Sequence, residues 1–455
     1  LRHRLADEPS RLATTVHGAW RAHASETLTA EILPLLDAMR FLEREAPTIL
    51  APRATRSALG ARPLWLVGST LDVRREPLGV VLVLGPANYP IFLPGVQAMQ
   101  ALVAGNTVIV KPGRDGLDAM RCLRAEAEAA GLPPGVLQVL SESIEDGELA
   151  IDAGVDKVVV TGSLDTGRAV LGQLADGPTP SVLELSGHDA VIVRDDTRLD
   201  LAAEAIAFGL GLNGGFTCIA PRRILAVDLV ASTLEARLAA ALRDRPPVRL
   251  VPGVRERLVT LLDDAVRRGG RFVAGGPPAG GPALHDYCPP ILLADVPPSA
   301  SIVGADIPAP VATLEAIDDD DAAARIVAAA PYRLGAAIFG RPPAARALAR
   351  RLDVGVVVVN DLIVPTADPR VPFGGRGCSG FGATRGAEGL LEMTTHKAVL
   401  VRSGRVRPHY EPVGPEDAAL FDAAVRMQHG SSLARRWRAL LDLIRVGKAR
   451  RGAAS

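Results

Sequence analysis

The stretch Gly79–Pro112, GVVLVLGPANYPIFLPGVQAMQALVAGNTVIVKP, decides how the chain is read. It is apolar enough to suggest a membrane span. However, Pro86, Pro90, Pro94, Asn88, Gln97, Gln100 and Asn106 interrupt it, and polar and helix-breaking residues at that density are poorly tolerated in lipid. It reads instead as a buried strand over Val80–Leu84, a turn, a helix that Pro94 opens and that runs to about Ala104, and a strand over Thr107–Val110. Short apolar strands alternating with helices imply parallel βαβ units.

Working outward, the alternation continues. It predicts a helix over 115–130, a strand over 136–140, a helix over 145–152 and a strand over 157–161. Thr161-Gly162-Ser163 then turns into a helix over 164–174, and a strand over Ser181–Leu185 carries Glu184 near its end. A second set of strands is expected near 189–194, 222–227, 248–251, 290–294, 335–339 and 355–360, with Gly269–Pro290 as a Gly/Pro-rich surface loop. Upstream, residues 1 to about 58 carry a helical period in Ile32, Leu35, Leu36 and Met39, and Leu64–Val80 reads as a strand pair around Gly68-Ser69-Thr70. No sequence repeat at a solenoid period is visible.

The chain has 455 residues, 48% of them hydrophobic, with 51 basic against 51 acidic side chains. That is long enough for two or three domains, and the balanced charge argues against bulk nucleic-acid binding. Cys122, Cys218, Cys288 and Cys378 are far apart and make no CxxC pair, so a metal or disulfide framework is not expected and a reducing, cytoplasmic compartment is. No signal peptide is visible, and because the chain opens on Leu1 an upstream start is expected. The tail from Arg407 differs from the rest. Leu433–Lys448 is a basic amphipathic helix with Trp437, Leu440, Leu441, Ile444 and Val446. Either an anionic membrane surface or a partner subunit under a solvated basic face would suit it.

The residues suited to chemistry are few. Cys218 ends the glycine-loosened run Leu212-Asn213-Gly214-Gly215-Phe216-Thr217 and is followed by Arg222-Arg223. A thiol reacts as thiolate in a partly exposed, electropositive pocket, whereas a lone cysteine is more often a small buried apolar residue. Glu184, at a strand end in apolar company, suits a general base with a raised pKa, against the plainer reading of a solvated or paired carboxylate. Asn88 follows a buried strand, where its amide suits an oxyanion donor or merely a turn. Lys111 at a strand end and Gly162-Ser163 at a helix start suit phosphates, or are a surface lysine and an ordinary cap. Two GxGxxG matches, Gly209–Gly214 and Gly375–Gly380, follow no convincing strand and are rejected as dinucleotide fingerprints.

Taken together, GPxNYP, AGNxxxxKP, the TGS turn, LELxG, a cysteine 34 residues after that glutamate and VPFGG near the end resemble the aldehyde dehydrogenase superfamily. The resemblance runs from about Pro77 to Arg402 and is closest to the class 3-like branch, on Arg75–Val81, Asn360-Asp361 and Ile363-Val364. It implies an α/β fold with a Rossmann-type cofactor domain (1–63 and 80–185), an α/β catalytic domain (186–378) and a small β arm (64–79 and 379–406), beyond which the residues themselves set off a helical basic tail (407–455). It implies NAD or NADP as cofactor and an arm that pairs two subunits into a homodimer.

The same resemblance places Cys218 as nucleophile, Glu184 as base and Asn88 as oxyanion donor. Lys111 falls on the adenosine ribose, Gly162 and Ser163 near the pyrophosphate, Pro86 in the turn beside them, and Phe373 near substrate and nicotinamide. Several positions depart from the pattern. Phe216 replaces a glutamine, Ser186 and His188 replace glycine and lysine, and the EIFGPV motif reads Asp306-Ile307-Pro308-Ala309-Pro310-Val311. Asp306 thus stands for the glutamate that holds the nicotinamide ribose, and Pro308 for a phenylalanine. Arg114 replaces a ribose-binding glutamate, which suits the 2′-phosphate of NADP. Tyr89, Phe92, Phe216 and Ile219 suggest an apolar pocket for medium-chain aliphatic or aromatic aldehydes. The expected reaction is oxidation of an aldehyde to an acid through a Cys218 thioester. The alternatives are a coenzyme A-acylating member and a degenerate member kept as a scaffold.

Overall fold

The computed structural model describes residues 1–16, 21, 23–54, 66, 68–276, 287–403, 407–410 and 412–453. Two compact units emerge, Leu1–Ala51 with Arg75–Thr395, and Pro52–Arg74 with His396–Ser455.

The larger unit holds two sheets. The first contains β1 (Val80–Leu84), β2 (Thr107–Lys111), β3 (Leu137–Val139), β4 (Lys157–Thr161) and β5 (Ser181–Glu184), in the order β5-β4-β1-β2-β3 and all parallel. Helices α1 (Phe92–Val103), α2 (Leu117–Ala129), α3 (Ile144–Asp152) and α4 (Leu164–Gln173) make the crossovers. Val81, Leu82 and Val83 are wholly buried, so β1 is covered on both faces and its apolar run does not alternate. The strand order reverses between β1 and β4, which leaves a crevice outside the carboxyl ends of these strands.

The second sheet contains β6 (Asp189–Val193), β7 (Pro221–Val227), β8 (Arg271–Ala274), β9 (Ile291–Ala294), β10 (Val311–Ile317), β11 (Gly335–Phe339) and β12 (Val356–Val359). Its order is β8-β9-β10-β7-β6-β11-β12, parallel except at the β8–β9 edge. Three expectations change here. Strand β10 was not foreseen although it lies mid-sheet. Thr313 and Glu315 break its apolar run, and Glu315 is made acceptable by an ion pair with Arg223 of β7 at 2.6 Å. Strand β8 falls inside the stretch expected to be loop, of which residues 277–286 lie outside the described residues. Among the described residues, Val248–Arg249 pairs only with Tyr287–Cys288, apart from the main sheet.

Upstream of the first sheet, the helix Leu33–Ile49 buries Leu35, Met39 and Leu42 in the same core as β1 and α1, with Leu36 at its edge. A π-helical turn, Leu28–Ile32, precedes it. The sequence places the segment after β12 in the arm from residue 379. In the structure Gly380–Phe381 pairs antiparallel with β5, and Leu390 and Met393 belong to the first sheet's core, so residues 380–393 sit in the larger unit.

In the smaller unit, Ser69–Pro77 pairs with Arg53–Ala54 on one side, and Thr394–Arg402 lies on the other as an edge strand. The strand expected before Gly68 falls largely on residues 64, 65 and 67, outside the described residues. Two helices, Ala418–His429 and Leu433–Ala453, follow. No described helix is long and apolar enough to cross a membrane.

Candidate active site

The cysteine is positioned by its own loop. After α5 (Leu199–Gly211), Asn213, Gly214 and Gly215 are all left-handed, with φ of 52°, 65° and 73°. Asparagine and glycine are the residues that accept this conformation, which explains Asn-Gly-Gly at this point. A Cβ on Gly215 would lie 2.6 Å from the Pro310 nitrogen, and one on Gly187 would lie 2.5 Å from the Cys218 carbonyl oxygen. The cysteine backbone is therefore pressed against the Leu185–His188 link between β5 and β6. Arg222 clamps the loop from behind, donating to the carbonyls of Gly215 (2.6 Å) and Ala309. Its burial lowers its pKa to about 10. Arg222 is a structural staple, not the open positive patch that its place after the cysteine suggested.

A cavity of about 1000 Å³ opens in front of this loop. Cys218, Glu184 and Phe373 share its wall with Tyr89, Phe92, Leu93, Phe208 and Ile219. Phe216, expected among them, packs instead on the cluster that contains Ile307 and Val311. The Ile219 N–H donates to the Cys218 sulfur, while burial, Glu184 and Asp189 push the thiol up and Arg385 pulls it down. Glu184 is 2% exposed. Its Oε2 accepts from the Thr384 hydroxyl at 2.5 Å, and its Oε1 is buried without a partner among the described residues. Burial raises its pKa, and Arg385 and Thr384 oppose the rise. A carboxyl whose pKa is raised in this way is a stronger proton acceptor than a solvated one.

Asn88 is not a wall residue of that cavity, but it is tied to the cysteine loop. Its carbonyl accepts from Asn213 Nδ2 at 3.0 Å and from Arg21 Nη2 at 3.2 Å. Its Oδ1 accepts from the Tyr89 N–H, which leaves the amide Nδ2 as the group free to donate. Tyr89 in turn bonds Thr217 at 2.8 Å.

Sequence reasoning missed Arg21, Glu31, Thr384 and Arg385. Glu31, fully buried in the π-helical turn, accepts from the Ile91 and Phe92 N–H groups at 2.6 and 2.8 Å and pairs with Arg21. It satisfies the first amides of α1 and so fixes the turn that carries Asn88. Its only signal was a carboxylate on the apolar side of a helical pattern.

The cofactor candidates line up along the carboxyl edge of the first sheet. Thr161 of β4 sits opposite Glu184 of β5, and the Gly162 N–H donates to the Glu184 carbonyl at 3.1 Å. Ser163 caps α4, its Oγ accepting from Thr166 N–H at 3.2 Å. Lys111 ends β2 half-buried, its pKa lowered by burial and raised back by Glu142, Asp146 and Glu145. A Cβ on Gly113 would fall 2.3 Å from the Pro86 carbonyl, so the turns after β1 and β2 form one floor that tolerates no side chain there. A helix N-terminus, a lysine and a bare backbone floor at a topological switch point fit a dinucleotide's phosphates. Arg114 is exposed in the turn after Lys111. Asp306 is half-buried near Arg222. His188 donates through Nδ1 to the Ala305 carbonyl (3.0 Å), and burial lowers its pKa to about 4, so it is neutral. Of the rejected glycine matches, Gly209 and Gly211 lie in α5.

The aldehyde dehydrogenase family model matches residues 2–399. The chain is 30% identical over 426 residues to 4,4'-diapolycopene aldehyde oxidase of Methylomonas sp., covering 90% of this chain and 78% of that protein. It is 33% identical over 349 residues to succinate-semialdehyde dehydrogenase [NADP(+)] of Deinococcus radiodurans, covering 74% and 72%. A Mycobacterium tuberculosis aldehyde dehydrogenase solved with NAD+ superposes with a TM-score of 0.79 at 26% identity, over 89% of this chain and 84% of that one. With the cysteine loop, the strand-end glutamate and the phosphate edge all in this fold, the chain belongs to the aldehyde dehydrogenase family and is an oxidoreductase.

Proposed function

We propose that the protein oxidises a lipophilic aldehyde to its carboxylic acid with NAD or NADP, Cys218 serving as nucleophile and Glu184 as base. The observation that carries this reading is that both side chains face one large, mostly apolar cavity. Its volume of about 1000 Å³ suits a long or bulky substrate. The likeness to a protein named 4,4'-diapolycopene aldehyde oxidase points the same way.

The reaction follows from the groups present. The Cys218 thiolate attacks the aldehyde carbon, and the oxyanion takes hydrogen bonds from Asn88 Nδ2 and the Cys218 N–H. A bound nicotinamide cofactor would supply the hydride acceptor for this oxidation. Cys218 then holds the acyl group as a thioester. Glu184 takes a proton from water as the oxygen attacks the thioester carbon, and the acid and the Cys218 thiolate separate. Lys111 would hold the adenosine ribose, Gly162 and Ser163 the pyrophosphate, with Pro86 in the floor beneath it, Phe373 the nicotinamide side and Asp306 the nicotinamide ribose. Arg114 would favour a 2′-phosphate, so NADP is accepted beside NAD.

Absorbance assays with NAD and NADP across apolar aldehydes test this. Cys218→Ala should show no turnover. Glu184→Gln should keep a first-turnover burst of reduced cofactor and then stall, and Asn88→Ala should lose about 10²–10³ in rate. Arg114→Glu should lower the preference for NADP. Release of an acyl-CoA when coenzyme A is supplied would instead select the acylating reaction, and a C218A variant as active as the parent would end the cysteine mechanism.

Two further properties belong with this reading. The edge strand Thr394–Arg402 exposes Val399, Leu400 and Val401, which suits pairing with a second copy of the chain. The helix Leu433–Ala453 exposes Leu433, Trp437, Leu441 and Ile444 among Arg435, Arg436 and Arg438, which suits an anionic membrane surface.

A further inference from the structure

Arg385 stands just before the helix Gly386–Glu392, in the wall of the cavity that holds Cys218 and Glu184. It is 5% exposed. Nη1 donates to the Thr366 carbonyl at 2.7 Å. The guanidinium carbon lies 4.2 Å from the centre of the Phe373 ring and 5.5 Å from that of Phe92. Among the described residues its buried Nε has no hydrogen-bond partner and no carboxylate forms an ion pair with it. Glu184 Oε1 is unpartnered in the same way.

A guanidinium buried against two aromatic rings without a bonded counter-ion costs stability, even after cation–π attraction is counted. Packing alone does not account for it. The groups whose charge it feels are Glu184, Cys218 and Tyr89. The two that react both carry negative charge when competent. Other charges also face them: Asp189 and Arg222 lie behind Cys218, and the Arg21–Glu31 pair lies beside Tyr89. Asp189 opposes the thiolate, and Arg222 is taken up by two backbone carbonyls. Among the described residues, Arg385 is the cation whose charge acts on Cys218 and Glu184 together.

We propose that Arg385 is a positioning residue of the reaction: a guanidinium locked by the Thr366 carbonyl and the Phe92 and Phe373 rings, which stabilises Cys218 and Glu184 in their anionic forms. The inference rests on Cys218 being the nucleophile. A fixed positive charge in a water-poor wall needs no reorganisation when the thiolate forms, so its effect is larger than the same charge in solvent. The Thr384 hydroxyl, one residue earlier, donates to Glu184 Oε2, so two adjacent residues act on that carboxylate, one by a hydrogen bond and one by its charge.

The test is iodoacetamide labelling of Cys218 across pH in the free enzyme, read by mass spectrometry, with Cys218→Ala as the site control. Arg385→Met, Arg385→Gln and Arg385→Lys are compared with the parent after thermal melts confirm folding. The neutral variants should move the labelling midpoint up by about one pH unit or more, and slow labelling near pH 7 by about tenfold. Arg385→Lys should stay near the parent. In turnover, kcat of the neutral variants should fall at neutral pH and recover as pH rises, with KM little changed. Labelling curves that superimpose on the parent overturn the proposal, as does failure of both neutral variants to fold. Should the parent's Cys218 resist labelling at every pH up to about 10, the nucleophile reading itself fails first, and that outcome is distinct from an unchanged variant.

Discussion

Asp189 shows how much a single buried side chain can carry here. It opens β6, accepts from the Gly335 N–H at 3.1 Å, and burial raises its pKa to about 7. A carboxyl with a raised folded pKa binds more protons in the native state, so its stability contribution is complete below its ordinary value and is lost as pH rises toward 7. His188, one residue away, does the opposite. Its pKa is lowered to about 4, so stability is lost as pH falls from about 6.5 toward 4. The two adjacent groups therefore offset each other across mildly acidic pH. Asp189→Asn removes one side of the balance. The variant should gain on the parent as pH rises from about 4 to about 7, by at most about 4 kcal/mol. Urea melts at pH 5 and pH 8 measure this, and an equal stability difference at both values would refute it. Neither titration could be inferred from the Gly187-His188-Asp189 sequence, because burial sets both.

At the scale of elements, the Leu212–Cys218 loop and the Leu28–Ile32 turn do related work. The first uses three left-handed residues to aim Cys218, and its glycine character was visible in the sequence. The second inserts Glu31 into the start of α1, and nothing in its period set it apart from an ordinary helix. Strand β10 was hidden for the converse reason, since a charged Glu315 in mid-strand is tolerated only because Arg223 lies on the adjacent strand. The edge strand Thr394–Arg402 carries a prediction at this scale. If it pairs two copies, the double variant Leu400→Asp/Val401→Asp should elute as a monomer where the parent elutes as a dimer. Light scattering decides this, and a monomeric parent would sink the pairing idea.

For the molecule as a whole, Lys111, Gly162 and Ser163 belong to the carboxyl edge of the first sheet and Cys218 to the loop that enters the second. They meet because only Leu185–His188 connects β5 to β6, and Gly187 lets the Cys218 backbone close on that link. If the tail helix meets an anionic membrane surface, a property that chemistry at the site does not need, flotation reports it. The full chain should float with vesicles containing anionic lipid and not with neutral ones. Arg435→Glu/Arg436→Glu/Arg438→Glu should abolish flotation while leaving oxidation of a small water-soluble aldehyde unchanged. A parent chain that ignores both kinds of vesicle would remove the membrane reading.

The sequence by itself determined the βαβ alternation, the two-sheet plan, and the identity of Cys218, Glu184, Asn88, Lys111 and Ser163 as candidates. Those features are local: apolar runs, strand-end positions, and glycines where the backbone must turn left-handed. Only the tertiary structure decided that Arg21, Glu31, Thr384 and Arg385 belong to the same site, that Phe216 does not line the cavity, and that Arg222 is a staple. Each of these depends on which distant groups a side chain meets once solvent is excluded. Arg385 and Glu184 are about 200 residues apart in the chain, and their electrostatic coupling appears only when burial lowers the local dielectric.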